Sequence, residues 1–147
     1  MSSELSETGI EVKASKDLAH AVAEDDIESC ATMSLDPILE GKWLQPGTHV
    51  DLIGAFRADM READDYVLTR GEICFDSRDT TIAHIGELRI PPAEGVISES
   101  DIIADLDQLN TAKAVARLPD TITVFKNGRG AHLDLMIANA ILKTEKT

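Results

Sequence analysis

The 147 residues are 43% apolar and 28% charged, the balance of one folded domain. Lys and Arg total 14 against 27 Asp and Glu, and the net charge of −13, with no basic run to offset it, repels nucleic acid and anionic membrane surfaces. No stretch approaches the roughly 20 apolar residues that span a bilayer, and the acidic N-terminus carries no apolar targeting core.

With three Phe, one Trp and one Tyr, the core must be aliphatic. "GIEVKAS" (9–15) alternates Ile10 and Val12 as a strand does, and Ser15 is placed to cap a helix over "KDLAHAVAEDD". "IESCATMS" (27–34) is a second strand, ending in small and polar residues. Pro46-Gly47 marks a turn before a third strand, "HVDLIGA" (49–55). "ADMREADDYVLTRG" contains helix-forming stretches and stops at Gly71, where a fourth strand, "EICFDS" (72–77), begins. "DTTIAHIGEL" suits a short helix. "IPPAEGVI" (90–97) reads as a loop, since two prolines block both helix and ladder. Ser98 and Asp101 resemble a capping box for a helix over "ESDIIADLDQLN". "DTITVFKN" (120–127) alternates as a strand, and "AHLDLMIANAILK" closes the chain as a helix with Leu133, Met136, Ile137, Ala140 and Ile141 at helical spacing.

Strands alternating with helices predict an α/β fold built on a parallel sheet. Ligands of such sheets bind outside the carboxyl ends of the strands. Three of those ends carry small or polar residues: Ala31-Thr32-Met33-Ser34, Gly54-Ala55-Phe56 and Asp76-Ser77. A GxGxxG turn after a strand is missing, and "NGRG" (127–130) lacks its third position. The pattern is that of the second half of a dinucleotide fold. Cys30 and Cys74 lie inside strand-like runs without CxxC spacing, as two reduced buried thiols of a cytoplasmic protein would. His20, His49, His84 and His132 have no ligand spacing, so no metal site is expected. Asp59, Arg61, Glu62, Asp64 and Asp65 read as a solvated helix start, and Trp43 as a core anchor.

Five stretches are more specific: "IESCATMSLDPIL" (27–39), "GKWLQPGTHVDLIGAF" (41–56), "DMREADD" (59–65), "GELRIPPAEGVIS" (86–98) and "ITVFKNGRGAHLDL" (122–135). Together they strongly resemble the ornithine cyclodeaminase/mu-crystallin family, nearest its bacterial Δ1-pyrroline-2-carboxylate reductase-like branch, from about Val12 to Leu142. The resemblance implies a Rossmann domain holding NAD or NADP, and a second domain that binds substrate and forms a homodimer. It places residues 1–128 in the second part of the Rossmann domain. Residues 129–147 become the helix that packs on the substrate domain. The glycine-rich turn and the substrate domain are then expected to lie outside this chain.

By the same resemblance, Ala31, Thr32 and Met33 pass along the dinucleotide, and Gly54, Ala55 and Phe56 lie near the nicotinamide. Ornithine cyclodeaminases proper carry an acid/base aspartate where this chain has Phe56, which transfers no proton. Imine reduction is therefore the better fit, with Phe56 either beside the ring or simply packed. Lys126 and Asn127 match the family's turn near the nicotinamide, Lys126 either holding an anion or merely solvated. No catalytic residue is assigned. Two expectations stand. In one, the chain is the C-terminal portion of such an enzyme, inactive until a complementing N-terminal half is supplied. In the other it is a non-catalytic remnant or self-associating domain, a homo-oligomer joined through the apolar stripe of its last helix.

Overall fold

A computed structural model describes residue 9 and residues 11–111, 117–128 and 130–144. Five short strands form one sheet: β1 (Ile27–Cys30), β2 (His49–Leu52), β3 (Glu72–Phe75), β4 (Ile102–Asp105) and β5 (Thr123–Lys126). All neighbours are parallel, in the order β1-β2-β5-β3-β4. The expected α/β parallel sheet is thus present, with every carboxyl end on one edge.

The strands alternate rather than bury both faces. Val50, Leu52, Ile73, Phe75 and Val124 point into the core, where they meet Leu39, Leu44, Val67, Leu68, Leu88 and Ile97. The opposite face carries His49, Asp51, Glu72, Cys74, Thr123 and Phe125, all half-buried. Period-two burial of this kind belongs to a sheet with one well-covered face. Among the described residues β1 pairs only with β2, so its outer side is an open edge, and Ile27 there is 66% exposed.

Among the described residues six helices connect or flank the strands: α1 (Leu18–Glu24), α2 (Asp65–Arg70), α3 (Arg78–Thr81), α4 (Gly86–Ala93), α5 (Leu106–Thr111) and α6 (Ala131–Thr144). A 3-10 turn, Gly41–Trp43, packs beside α2. Asp64 caps α2 by accepting from the Val67 amide at 3.0 Å, and its same oxygen accepts from Gly41 at 2.9 Å. One carboxylate therefore starts the helix and pins the turn against it.

The structure corrects several sequence expectations. Residues 11–15 form no strand, and no strand among the described residues pairs with them. Ser15 is not the cap of α1: Asp17 accepts from the His20 amide, while the Ser15 hydroxyl holds the Asp17 backbone. Pro91 and Pro92 lie inside α4. They sit in its last turn, where their fixed φ suits a helix, and their carbonyls still accept from Val96 and Gly95. The Ser98–Asp101 capping box exists, but it closes a 3-10 turn, and β4 follows where a helix was expected. The stretch 79–88 divides between α3 and α4. Trp43 is half-buried, packed against the edge of the core rather than anchoring its centre.

Candidate functional site

The parallel sheet brings the predicted rim together without any long-range signal in the sequence. Ala31–Met33 leave β1, Ile53–Phe56 leave β2, and Asn127-Gly128 leave β5, which are consecutive strands of the sheet. The ladder runs on past the strand ends. The Ile53 and Gly54 amides donate to the Cys30 carbonyl at 2.8 and 3.1 Å, and the Asn127 amide donates to Leu52 at 3.0 Å. A cleft of about 350 Å³ opens here between Ile53, Asn127, Gly130, Leu133 and Asp134. Ala31, Met33 and Phe56 do not line this cleft but are exposed, Met33 by 73% and Phe56 by 41%, so Phe56 is not a core residue. Gly54 and Ala55 are buried beneath the turn.

Glu62 holds this edge together, and it is the residue that sequence reasoning missed. It belongs to the acidic run expected to be solvated, yet it is completely buried, with Arg61 beside it only 8% exposed. Its Oε1 accepts from the Thr32 amide at 2.7 Å and the Thr32 hydroxyl at 2.9 Å. Its Oε2 accepts from the Gly54 amide at 2.7 Å and the Ala55 amide at 3.0 Å. A buried carboxylate is tolerable when its lone pairs are taken up in this way. Gly54 makes it possible: a Cβ there would fall inside 3.0 Å of the Thr32 backbone and of Glu62 Oε1. The one local signal was the pair of small residues, Gly54-Ala55, whose amides need an acceptor once buried.

A second buried carboxylate stands behind the first. Glu87, at the start of α4, accepts from the Glu62 amide at 2.8 Å and the Ala63 amide at 3.0 Å. Burial pushes its carboxyl above the ordinary carboxylate range, against the pull of those two amides and of Lys126 and Arg61 nearby. Lys126 is neither solvated nor turned outward. It is 0% exposed, and its ammonium donates to the Leu52 carbonyl at 2.8 Å. Cys30 and Cys74 are half-buried rather than buried, and the Cys30 thiol, at the end of β1 near Glu62, Glu87, Glu28 and Asp51, is pushed up to about 12, chiefly by the burial it has.

At the other end of the rim, Asp76 follows β3. Its Oδ1 accepts from the Ser77 amide at 2.8 Å and the Thr81 hydroxyl at 2.9 Å, and Oδ2 lies 3.4 Å from the Gly130 amide. It ties the loop before α6 to α3. Among the described residues no group of three His, Cys, Asp or Glu side chains could hold a metal ion. His20 and His84 are exposed, His49 meets the Thr123 hydroxyl, and the His132 side chain lies outside the described residues. No helix among the described residues is long and apolar enough to cross a membrane.

Comparison with known proteins agrees with this architecture. The pattern of the ornithine cyclodeaminase/mu-crystallin family matches residues 1–145. A Δ1-pyrroline-2-carboxylate reductase of Paracoccus denitrificans is 54% identical over 138 residues, which are 92% of this chain and 44% of that protein. The ketimine reductase mu-crystallin of the mouse is 31% identical over 131 residues, 89% of this chain and 39% of that one. The solved Δ1-pyrroline-2-carboxylate reductase of Thermococcus litoralis, in complex with NADH and L-proline, superposes with a TM-score of 0.80 at 31% identity, covering 86% of this chain and 40% of that chain. The chain thus spans less than half the length of these relatives.

Proposed function

The chain belongs to the ornithine cyclodeaminase/mu-crystallin family, and on that footing we propose that it supplies the nicotinamide-facing rim of an NAD(P)-dependent reductase of cyclic imines. The observation that carries the reading is the junction of three strand ends, Ala31–Met33, Gly54–Phe56 and Lys126-Asn127, on one edge of the sheet. The Δ1-pyrroline-2-carboxylate reductase of Thermococcus litoralis, 31% identical to this chain, was solved in complex with NADH and L-proline. When bound, the cofactor supplies the hydride.

The residues present fit such a group. Met33 and Phe56 offer exposed apolar surface to a flat ring, and Gly54 lets the Thr32 backbone pack directly against the turn after β2. Asn127 sits at the cleft as a neutral polar group. Phe56 can wall off water but cannot move a proton, which favours imine reduction over ornithine cyclisation. Lys126 acts through the fold, holding the carbonyl end of β2. The groups that grip the substrate and the pyrophosphate are supplied by protein beyond these residues, and the open edge of β1 is where such protein would join the sheet. Turnover by these 147 residues alone is not expected, since hydride donor and imine must be held together.

A titration with NADH and NADPH, followed by the fluorescence of Trp43, tests the reading. Trp43 lines a small apolar cavity with Cys30 and Thr32, next to the rim. Saturable quenching is the expected result, and no change up to millimolar nucleotide would refute a cofactor site held by this chain itself. A second reading, a non-catalytic self-associating domain, is favoured by α6, whose Leu135, Met136, Ile137, Ile141 and Leu142 are each more than half exposed. It expects a concentration-dependent dimer and no quenching.

A further inference from the structure

We propose that Glu62 is a positioning residue of the cofactor rim: its single carboxylate locks the turn after β1 to the turn after β2, so that the two present themselves to a nucleotide as one rigid piece. The inference rests on the dinucleotide reading above and adds a part to it.

The turns are separate in sequence, with Thr32 lying 30 residues before Glu62 and Gly54 eight. Each carboxylate oxygen serves one turn: Oε1 takes both donors of Thr32, and Oε2 takes the amides of Gly54 and Ala55. An ionised carboxylate is acceptor-only, with about four lone-pair sites, and four donors use them. The backbone of Glu62 is held as firmly. Its amide and that of Ala63 donate to Glu87, and its carbonyl accepts from Ile38 and Leu39 at 2.9 Å each. The carboxylate is therefore a fixed point to which both turns are tied. Strand-end loops otherwise tend to be among the looser parts of a fold. A site that pre-pays the ordering of its loops binds more tightly for the same contacts.

Glu62→Gln is the informative variant. An amide keeps the shape but has one acceptor oxygen. Whichever way it turns, its NH2 faces a backbone N–H, either that of Thr32 or those of Gly54 and Ala55, and one turn is released. A buried glutamate with a purely structural role would lower the urea midpoint and leave the affinity of the folded protein unchanged. A positioning role predicts at least a tenfold weaker NADH dissociation constant, measured well below the unfolding transition. It also predicts at least tenfold faster amide exchange at Thr32, or at Gly54 and Ala55, with Val50 and Val124 unchanged.

The experiment is NMR-detected hydrogen exchange and NADH titration of the wild-type chain and of Glu62→Gln. Loosened rim amides with weakened binding support the inference, whereas unchanged rim exchange or unchanged affinity overturns it. A wild-type chain that binds neither NADH nor NADPH refutes instead a cofactor site held by this chain itself. The locking role of Glu62 is then decided by exchange alone. If Glu62→Gln does not fold, the wild-type chain decides: Thr32, Gly54 and Ala55 amides exchanging as one class support the lock, and three unrelated rates overturn it.

Discussion

Gly54→Ala is the sharpest probe of how the strand ends fit together. The added methyl would fall inside 3.0 Å of the Thr32 amide and carbonyl and of Glu62 Oε1, none of which is the end of a flexible chain free to swing away. Restoring contact distance requires the turns after β1 and β2 to part by roughly 1 Å. The bonds from Thr32 and Gly54 to Glu62, both 2.7 Å, then stretch past the hydrogen-bond limit. Losing one or two bonds to a charged group costs about 1.5–3 kcal/mol each, and overpacking adds about 1–3 kcal/mol. Together these come to about 2.5–9 kcal/mol, a large part of the ~5–15 kcal/mol that holds a domain together. Urea denaturation read by Trp43 fluorescence and circular dichroism measures it. Gly95→Ala is the control. Gly95 has φ +75° but open space around it, so alanine there pays only for the left-handed backbone, about 1–2 kcal/mol. A Gly54→Ala loss no larger than that of Gly95→Ala would show that the turns are free to separate and that the close packing carries no energy.

Three other outcomes follow from the same geometry. With its thiol pushed up to about 12, Cys30 is almost wholly protonated at pH 8, so iodoacetamide should modify Cys74 first in the native chain and both thiols in urea, as peptide mass spectrometry would record. Glu87 has a carboxyl raised above its unfolded value, so the folded chain binds the extra proton. Its contribution is most favourable below the ordinary carboxylate range and declines as pH rises toward the raised value. Stability curves at a series of pH values should show that this downward slope is absent in Glu87→Gln, and an unchanged slope would assign it to another group. Asp64→Ala removes the acceptor shared by Val67 and Gly41, and should cost about 1–3 kcal/mol, with Asp64→Asn milder.

Much of the sheet was legible because β2, β3 and β5 are short apolar runs between turn signals, and their alternation with helices forces parallel pairing. β4 was hidden by two honest local signals. The Ser98–Asp101 box is real, and Ile102, Ile103, Leu106 and Leu109 recur at helical spacing. Burial decided otherwise: Ile102 and Ala104 turn inward and Ile103 is 41% exposed, a period of two imposed by the neighbouring β3. The strand ends Ala31–Ser34, Gly54–Phe56 and Asp76-Ser77 followed from the rule that ligands of a parallel sheet meet its carboxyl edge, and Lys126 and Asn127 from the family resemblance. The burial of Glu62 and Lys126 was not legible, because nothing local separates a buried charge from a solvated one. Their environment is made by Thr32 and Leu52, residues far off in the chain.

The open edge of β1 has a further consequence, for how copies of the chain meet in solution. An edge that is unpaired among the described residues and begins with an exposed isoleucine is a template for another strand, and the apolar surface of α6 offers a second sticky patch. Against both stands a charge of −13 on every molecule. That repulsion reaches about 10 Å at 0.1 M salt and only about 3 Å at 1 M. Ionic strength thus becomes the dial between dispersed chains and aggregates: dilute salt preserves colloidal stability, and concentrated salt lets the edge find its match.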